Sequence, residues 1–182
     1  MIRKLLKNYR DKNLFLTRRQ IYDLVKKDSR IVDLGCGDGE LLRILSSKIS
    51  YGLGIDKNRR EIDFAKKLTK RNGIKNLEFI TEDIGKNLET KFDYCILMGV
   101  LHSLNYNSQN KVLNNARRDS KEIIIVDYKV PIENKFLVYF EEAIGGHYRN
   151  FRNYAKQNRI EKIITKEKLD TKRRETGIWI VE

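Results

Sequence analysis

Residues 31–39 read Ile31-Val32-Asp33-Leu34-Gly35-Cys36-Gly37-Asp38-Gly39. An apolar, β-branched run takes up one acid and passes straight into glycines at alternate positions. The run has the character of a buried strand, and the glycines behind it read as a tight strand-to-helix turn. Gly35 permits the tight turn, Gly37 lets a ligand approach the backbone, and Gly39 permits close packing where the next helix starts. The free N–H groups of such a turn form a polar cradle. A dinucleotide fingerprint, G-x-G-x-x-G, would require a third glycine where this chain has Glu40. A pyrophosphate would also sit poorly beside Asp33 and Asp38, whereas a ligand carrying an amino group and a sulfonium would sit well there.

Outward from this turn, helical and strand patterns alternate. Upstream, residues 2–9 have helical apolar spacing, and Thr17-Arg18-Arg19-Gln20 reads as a capping box opening a helix through Lys27. The first strand, 30–34, is followed by the turn and a helix over 39–47. A second strand over 51–55 ends at Asp56, and a capped helix runs from Asn58 to Asn72. The third strand, 77–80, is closed by Glu82-Asp83. The fourth, 92–98, is apolar almost throughout, as a central parallel strand should be. A helix over 107–118 leads to a fifth strand over 122–128. Helices over 135–144 and 152–158 follow, then strands near 160–165 and 176–181 with no helix between them. These specify one α/β domain over residues 1–182: a doubly wound, mostly parallel seven-stranded sheet with a C-terminal antiparallel hairpin. Ligands of such sheets bind at the carboxyl ends of the strands, where the strand order reverses.

With this turn in this place, the chain resembles the class I S-adenosylmethionine-dependent methyltransferases, closely over residues 30–130 and loosely beyond. The resemblance implies a Rossmann-like fold, S-adenosylmethionine as cofactor and S-adenosylhomocysteine as product. It implies that Asp33 helps bind the cofactor's amino group while Gly35, Cys36 and Gly37 pass under its methionine portion. Asp56 then matches the acid that accepts hydrogen bonds from the ribose hydroxyls, with the stem of Lys57 beside the adenosine. Asp83 would accept from the adenine amino group and Ile84 would pack on the ring. Met98 and Gly99, with Val100-Leu101-His102, match the segment beside the donated methyl. On the same grounds residues 1–29 form an N-terminal helical cap, 30–130 the cofactor-binding core, 131–159 an acceptor-side cap and 160–182 the terminal hairpin. Taken singly, each feature has a plain structural reading, as a tight connection or a helix cap. Their order along the chain is what carries the resemblance.

Methyl transfer from a sulfonium is an in-line displacement, so the protein mainly aligns the acceptor and excludes water. A base is needed only where the acceptor must lose a proton. Amino methylation of bases commonly uses an Asn/Asp-Pro-Pro-aromatic motif after the fourth strand. This chain has Met98-Gly99-Val100-Leu101 there and a single proline, Pro131. Neither cysteine suits attack on a pyrimidine ring, because Cys95 lies inside a strand and Cys36 in the turn. His102 and His147 are the candidate bases, since a neutral histidine takes a proton near pH 7. Tyr148 and Arg149 are candidates to hold an acceptor's oxygen or carboxylate. Asp127-Tyr128, ending the fifth strand, is a third candidate. The alternative for His102 and His147 is a locally satisfied loop histidine, and for Asp127 a cap on the next segment.

The composition excludes some classes. With 182 residues, 40% hydrophobic and 35% charged, the chain suits a globular domain that needs no metal or disulfide staple. Two cysteines in apolar surroundings point to reduced thiols and a cytoplasmic location. The longest apolar run, residues 94–101, is far short of the roughly 18 residues of a membrane span. The N-terminus has no signal-peptide core. The net charge of +13 is uneven: residues 1–30 carry ten Lys/Arg against three acids and residues 145–176 ten against four, while 31–144 carry 18 against 17. Basic ends suit an anionic partner. The leading expectation is a small anionic or aromatic acceptor. The alternative is RNA (tRNA or rRNA), read by a basic rim, and a third reading is a non-catalytic cofactor-binding protein. The sequence does not specify an oligomeric state.

Overall fold

Strand β1 (Arg30–Leu34) is an inner strand of the sheet, and every residue after Arg30 is buried. The structure is a computed structural model and describes residues 17–127, 171–174 and 178–181. Helix α1 covers residues 17–24. After β1 come α2 (Glu40–Leu45), β2 (Tyr51–Asp56), α3 (Arg59–Arg71), β3 (Leu77–Thr81) and β4 (Phe92–Met98). A 3-10 turn (Leu101–Ser103) leads into α4 (Tyr106–Asp119) and β5 (Ser120–Val126). Strands β6 (Thr171–Arg174) and β7 (Ile178–Val181) complete the sheet. Asn58 caps α3 and Asn105 caps α4, each side chain accepting a hydrogen bond from a backbone N–H of the first turn.

The strand order is β3-β2-β1-β4-β5-β7-β6. Strands β1 to β5 pair in parallel, whereas β7 runs antiparallel to β5 and β6 antiparallel to β7. The order reverses between β1 and β4, so the crevice outside their carboxyl ends is the switch point. Side chains alternate across the sheet. Val32, Leu34, Cys95 and Leu97 join Val112, Leu113 and Ala116 of α4 in one core. Ile31 and Ile96 join Ile21 of α1, Leu41 and Leu42 of α2 and Ile62 of α3 in the other. Asp33 is two residues from Ile31 and therefore faces the α1–α2 side.

Four expectations are corrected. The helix read through Lys27 stops at residue 24, Asp28 adopts φ 61°, and the Ser29 hydroxyl bonds the Lys26 carbonyl at 2.7 Å. Thr17 already lies within that helix rather than capping it. Strand β5 starts two residues earlier than expected and ends at Val126, leaving Asp127 buried just beyond it. The strand that pairs with β7 is Thr171–Arg174, not residues 160–165. Its Lys172-Arg173-Arg174 run carries no apolar alternation, and it needs none because β6 is the edge of the sheet. Residues 160–165, the expected helices over 2–9, 135–144 and 152–158, and Tyr128 lie outside the described residues.

Candidate functional site

The turn after β1 is tied to the end of β2 by backbone. The N–H groups of Gly35 and Cys36 both donate to the Ile55 carbonyl, at 2.7 and 3.1 Å. The Asp56 carboxylate completes the junction: one oxygen accepts from the Gly37 N–H at 2.9 Å and the other from the Asn58 N–H at 2.8 Å. A carboxylate offers about four lone-pair sites, so each Asp56 oxygen keeps accepting capacity.

Gly35 and Gly37 serve different purposes. Both have positive φ, 81° and 52°. A Cβ on Gly35 would lie 2.5 Å from a Val100 methyl, so the turn packs directly on the segment after β4. A Cβ on Gly37 would meet nothing within 4 Å. The protein packs against the first glycine and leaves the face of the second open. At the start of α2 a Cβ on Gly39 would strike the Phe79 ring at 2.3 Å, which is the close packing expected there.

Asp33 is 2% exposed. Burial, reinforced by the Asp56 carboxylate and opposed by Arg18, pushes its carboxyl up from 3.8 to about 7. A cation delivered to this carboxylate would relieve that penalty. Asp38 is engaged locally: its side chain accepts from the Glu40 N–H at 3.0 Å, and Arg43 bonds its carbonyl. Arg18 of α1 reaches the same junction and pairs with Glu40 at 2.8 Å. Cys36 is partly buried, and burial together with the Asp33 and Asp56 charges holds its thiol protonated, so it acts by packing rather than as a nucleophile.

The other predicted residues spread along the strand ends. Lys57 is exposed after Asp56. Asp83 is exposed and accepts from the Gly85 N–H at 2.6 Å, and Ile84 is half-buried on the α4-side core. Met98 ends β4, and Gly99, at φ 68°, donates its N–H to the Val126 carbonyl at 2.7 Å. His102 lies in the 3-10 turn, two residues beyond Val100, which covers Gly35. Gln109 of α4 braces this turn: its amide donates to the carbonyls of Leu101 at 2.7 Å and Leu104 at 3.2 Å. His147, Tyr148 and Arg149 lie outside the described residues. The turn, Asp33 and Asp56 are thus brought together, and the Val100 side chain, just before the 3-10 turn that carries His102, packs on Gly35.

Sequence reading missed Arg18 and Gln109. The signal for Arg18 is its spacing from Ile21 and Val25, three and seven residues on, which puts it on the buried stripe of α1. Among the described residues no group of three or more His, Cys, Asp or Glu is arranged to hold a metal, and no helix is long and apolar enough to cross a membrane.

A family model described as a methyltransferase domain matches residues 25–177. The ribosomal protein L11 methyltransferase of Caldanaerobacter subterraneus is 36% identical over 76 residues, which is 41% of this chain and 24% of that protein. An uncharacterized RNA methyltransferase of Mycoplasma mobile is 24% identical over 146 residues, covering 80% of this chain and 36% of its own length. The chain thus spans about a quarter to a third of these two curated relatives. Among solved structures, a SAM dependent methyltransferase from Aquifex aeolicus superposes with a TM-score of 0.61 at 17% identity, over 90% of this chain and 87% of that one.

Proposed function

The chain belongs to the methyltransferase domain family, and on that premise we propose that it transfers a methyl group from S-adenosylmethionine to a small anionic or aromatic acceptor. The observation that carries the cofactor reading is the open face of Gly37 beside the Asp56 carboxylate, at the carboxyl ends of β1 and β2. The residues fit the cofactor in kind. Asp33 is a buried carboxyl in want of a cation, and it would take the α-ammonium. Gly35, Cys36 and Gly37 would underlie the amino-acid chain, and Asp56 would accept from the ribose hydroxyls through its unused lone pairs. Lys57, Asp83 and Ile84 would flank the adenosine, with Met98 and Gly99 at the sulfonium end. S-adenosylmethionine, when bound, supplies an electrophilic methyl on sulfur. The protein's part is then to hold the acceptor in line and keep water out. His102 is our candidate base from the turn packed on Gly35, with His147, Tyr148 and Arg149 of the 131–159 cap as acceptor-side candidates.

S-adenosylmethionine should raise the melting temperature by mass action, and Asp56→Ala should abolish the rise. No rise in the wild type, or an equal rise in the variant, sinks the cofactor assignment. A labelled-methyl screen of cell extract divided into small-molecule, RNA and protein fractions tests the acceptor, with label expected in the small-molecule fraction.

A second reading, methylation of RNA, is favoured by a specific surface. Residues 57–75 on and beside α3 carry eight Lys/Arg, all exposed, against two acids, and the exposed Phe64 ring lies among them. The near-neutral balance of residues 31–144 therefore conceals a local basic face. Basic side chains around an aromatic suit a nucleic-acid backbone, and the relative from Mycoplasma mobile carries an RNA methyltransferase name.

A further inference from the structure

Asp127 is a buried acid that the cofactor reading leaves without a role. It is 5% exposed and directly follows β5. A buried carboxylate is costly unless a donor or a positive charge faces it. The last registered pair of β4 and β5 is Met98 with Val126, and the Gly99 N–H donates to the Val126 carbonyl at 2.7 Å. One step on, Asp127 is therefore level with Gly99. Gly99, at φ 68°, turns the chain toward Leu101–Ser103, where the Val100 carbonyl accepts from the N–H and the hydroxyl of Ser103 at 3.0 and 2.7 Å. Neighbouring strands lie about 4.8 Å apart and a 3-10 turn advances about 2 Å per residue, which sets the backbones of Asp127 and His102 on the order of 10 Å apart. An aspartate and a histidine joined by a hydrogen bond span such a gap.

Asp127 and the turn also share one side of the sheet. Ile125 packs in the core against α4 and Val126 in the opposite one, so the alternation returns to the α4 side at Asp127. Val100 and Leu101 belong to that same α4-side core. The other charged groups around these strand ends are placed elsewhere. Asp33 is level with Ile96, inside the sheet, and faces the α1–α2 side. Asp83 accepts from the Gly85 N–H, and the stem of Lys111 lies beside Gly85. Asp119 engages the Leu88 N–H and Arg118 at the far end of α4.

We propose that Asp127 is the positioning residue of the base His102, its carboxylate accepting from one ring N–H so that the other nitrogen is presented to the acceptor. The inference rests on the methyltransferase reading above and on His102 as its base. The acceptor's oxygen or nitrogen bonds the methyl carbon as its proton passes to His102, and the carbon–sulfur electron pair stays with sulfur. The imidazolium so formed is held by Asp127 until it returns its proton to water.

The test reads the imidazoles directly. The chain has two histidines, so the spectrum of histidine-labelled protein holds two rings, and His102→Gln assigns them. In the ligand-free wild type His102 should titrate with a midpoint of about 7.5 or above, where an isolated histidine lies at about 6.5. Asp127→Asn should lower that midpoint to about 6.5 or below and leave His147 within about 0.3 of its wild-type value. The variant should bind S-adenosylhomocysteine within about twofold of wild type, since neither residue belongs to the cofactor set. In whichever extract fraction accepts label, the acid limb of the pH–rate profile should move with the His102 midpoint. A limb that stays in place, or a His102 midpoint that Asp127→Asn does not move, overturns the proposal. So does an ordinary midpoint in the wild type, a result that stands even if the variant does not fold. Failure of the wild type to bind S-adenosylhomocysteine would instead sink the cofactor reading, and the His102 titration remains readable without it.

Discussion

Single side chains divide the site into parts that hold the fold and parts that wait for a ligand. Gly35 and Gly37 make the contrast measurable. Both substitutions to Ala place a Cβ on a positive-φ backbone, at a cost of about 1–2 kcal/mol. Only at Gly35 does the new methyl also collide, with Val100 at 2.5 Å. Gly35→Ala should therefore lower the melting temperature clearly more than Gly37→Ala. Gly37→Ala should instead weaken S-adenosylhomocysteine at least about tenfold while the chain stays folded. Thermal melts alongside calorimetric titrations would show whether the two losses separate in this way. Asp33 carries a pH signature. Its native carboxyl is held at about 7 by burial and Asp56, against Arg18, whereas 3.8 is its ordinary value. Between those values the native state binds more protons than the unfolded chain, so stability falls as pH rises through that window. Asp33→Asn should remove this decline, melting above the wild type at pH 8 and approaching it near pH 4 in ligand-free protein. An ammonium beside Asp33 would favour the carboxylate. Binding of S-adenosylhomocysteine near pH 6.5 should then release a proton, read from the buffer dependence of the binding enthalpy. A wild type and Asp33→Asn with parallel pH profiles would refute the assignment of the raised carboxyl.

At the scale of elements, one side chain connects α4 to the segment after β4. Gln109 is 1% exposed and its amide clamps the Leu101 and Leu104 carbonyls on either side of His102 and Ser103. Gln109→Leu should cost about 1–3 kcal/mol, the price of leaving buried acceptors unpaired. It should depress turnover while S-adenosylhomocysteine affinity stays within about twofold, because the cofactor turn keeps its bonds to Ile55 and Asp56. Equal loss of affinity would mean that the 3-10 turn supports the cofactor instead. The same element shows what was legible beforehand. β4 was read with its observed bounds, because a central parallel strand is apolar on both faces and nothing interrupts the run. α3 was read within a residue, because Asn58 caps it as its sequence suggests. β6 was misplaced because an edge strand of Lys and Arg has no pattern to read: its pairing with β7 comes from the fold. Gln109 was invisible for a related reason. Its partners are carbonyls, and carbonyls carry no sequence identity.

For the whole molecule, the strand alternation and the position of the glycine turn are enough to anticipate the parallel sheet and its reversal of strand order between β1 and β4. The distribution of charge is not, because a count along the chain averages over faces that the fold separates. Residues 57–75 illustrate the point: their eight exposed bases are offset in the tally by acids elsewhere in the fold, such as Asp33 and Asp56 at the ends of β1 and β2. The two acceptor readings make different demands on that face. A small anion needs charge only at the mouth of the pocket, whereas RNA must lie along a basic surface and release counterions as it binds. Replacing Lys66, Lys67, Lys70 and Arg71 together by Glu removes half of the bases on this face, none of them among the residues assigned to the cofactor. If the acceptor is small, turnover on it should stay within about twofold, and tRNA binding should be weak and lost by about 0.2 M salt in wild type and variant alike. If tRNA binds the wild type tightly, and the variant loses affinity, salt dependence and methyl transfer in parallel, the acceptor is RNA and α3 is part of its track. Measuring tRNA affinity and methyl transfer across a salt series for both proteins makes this decision, since only a polyanion couples a face outside the pocket to the reaction within it.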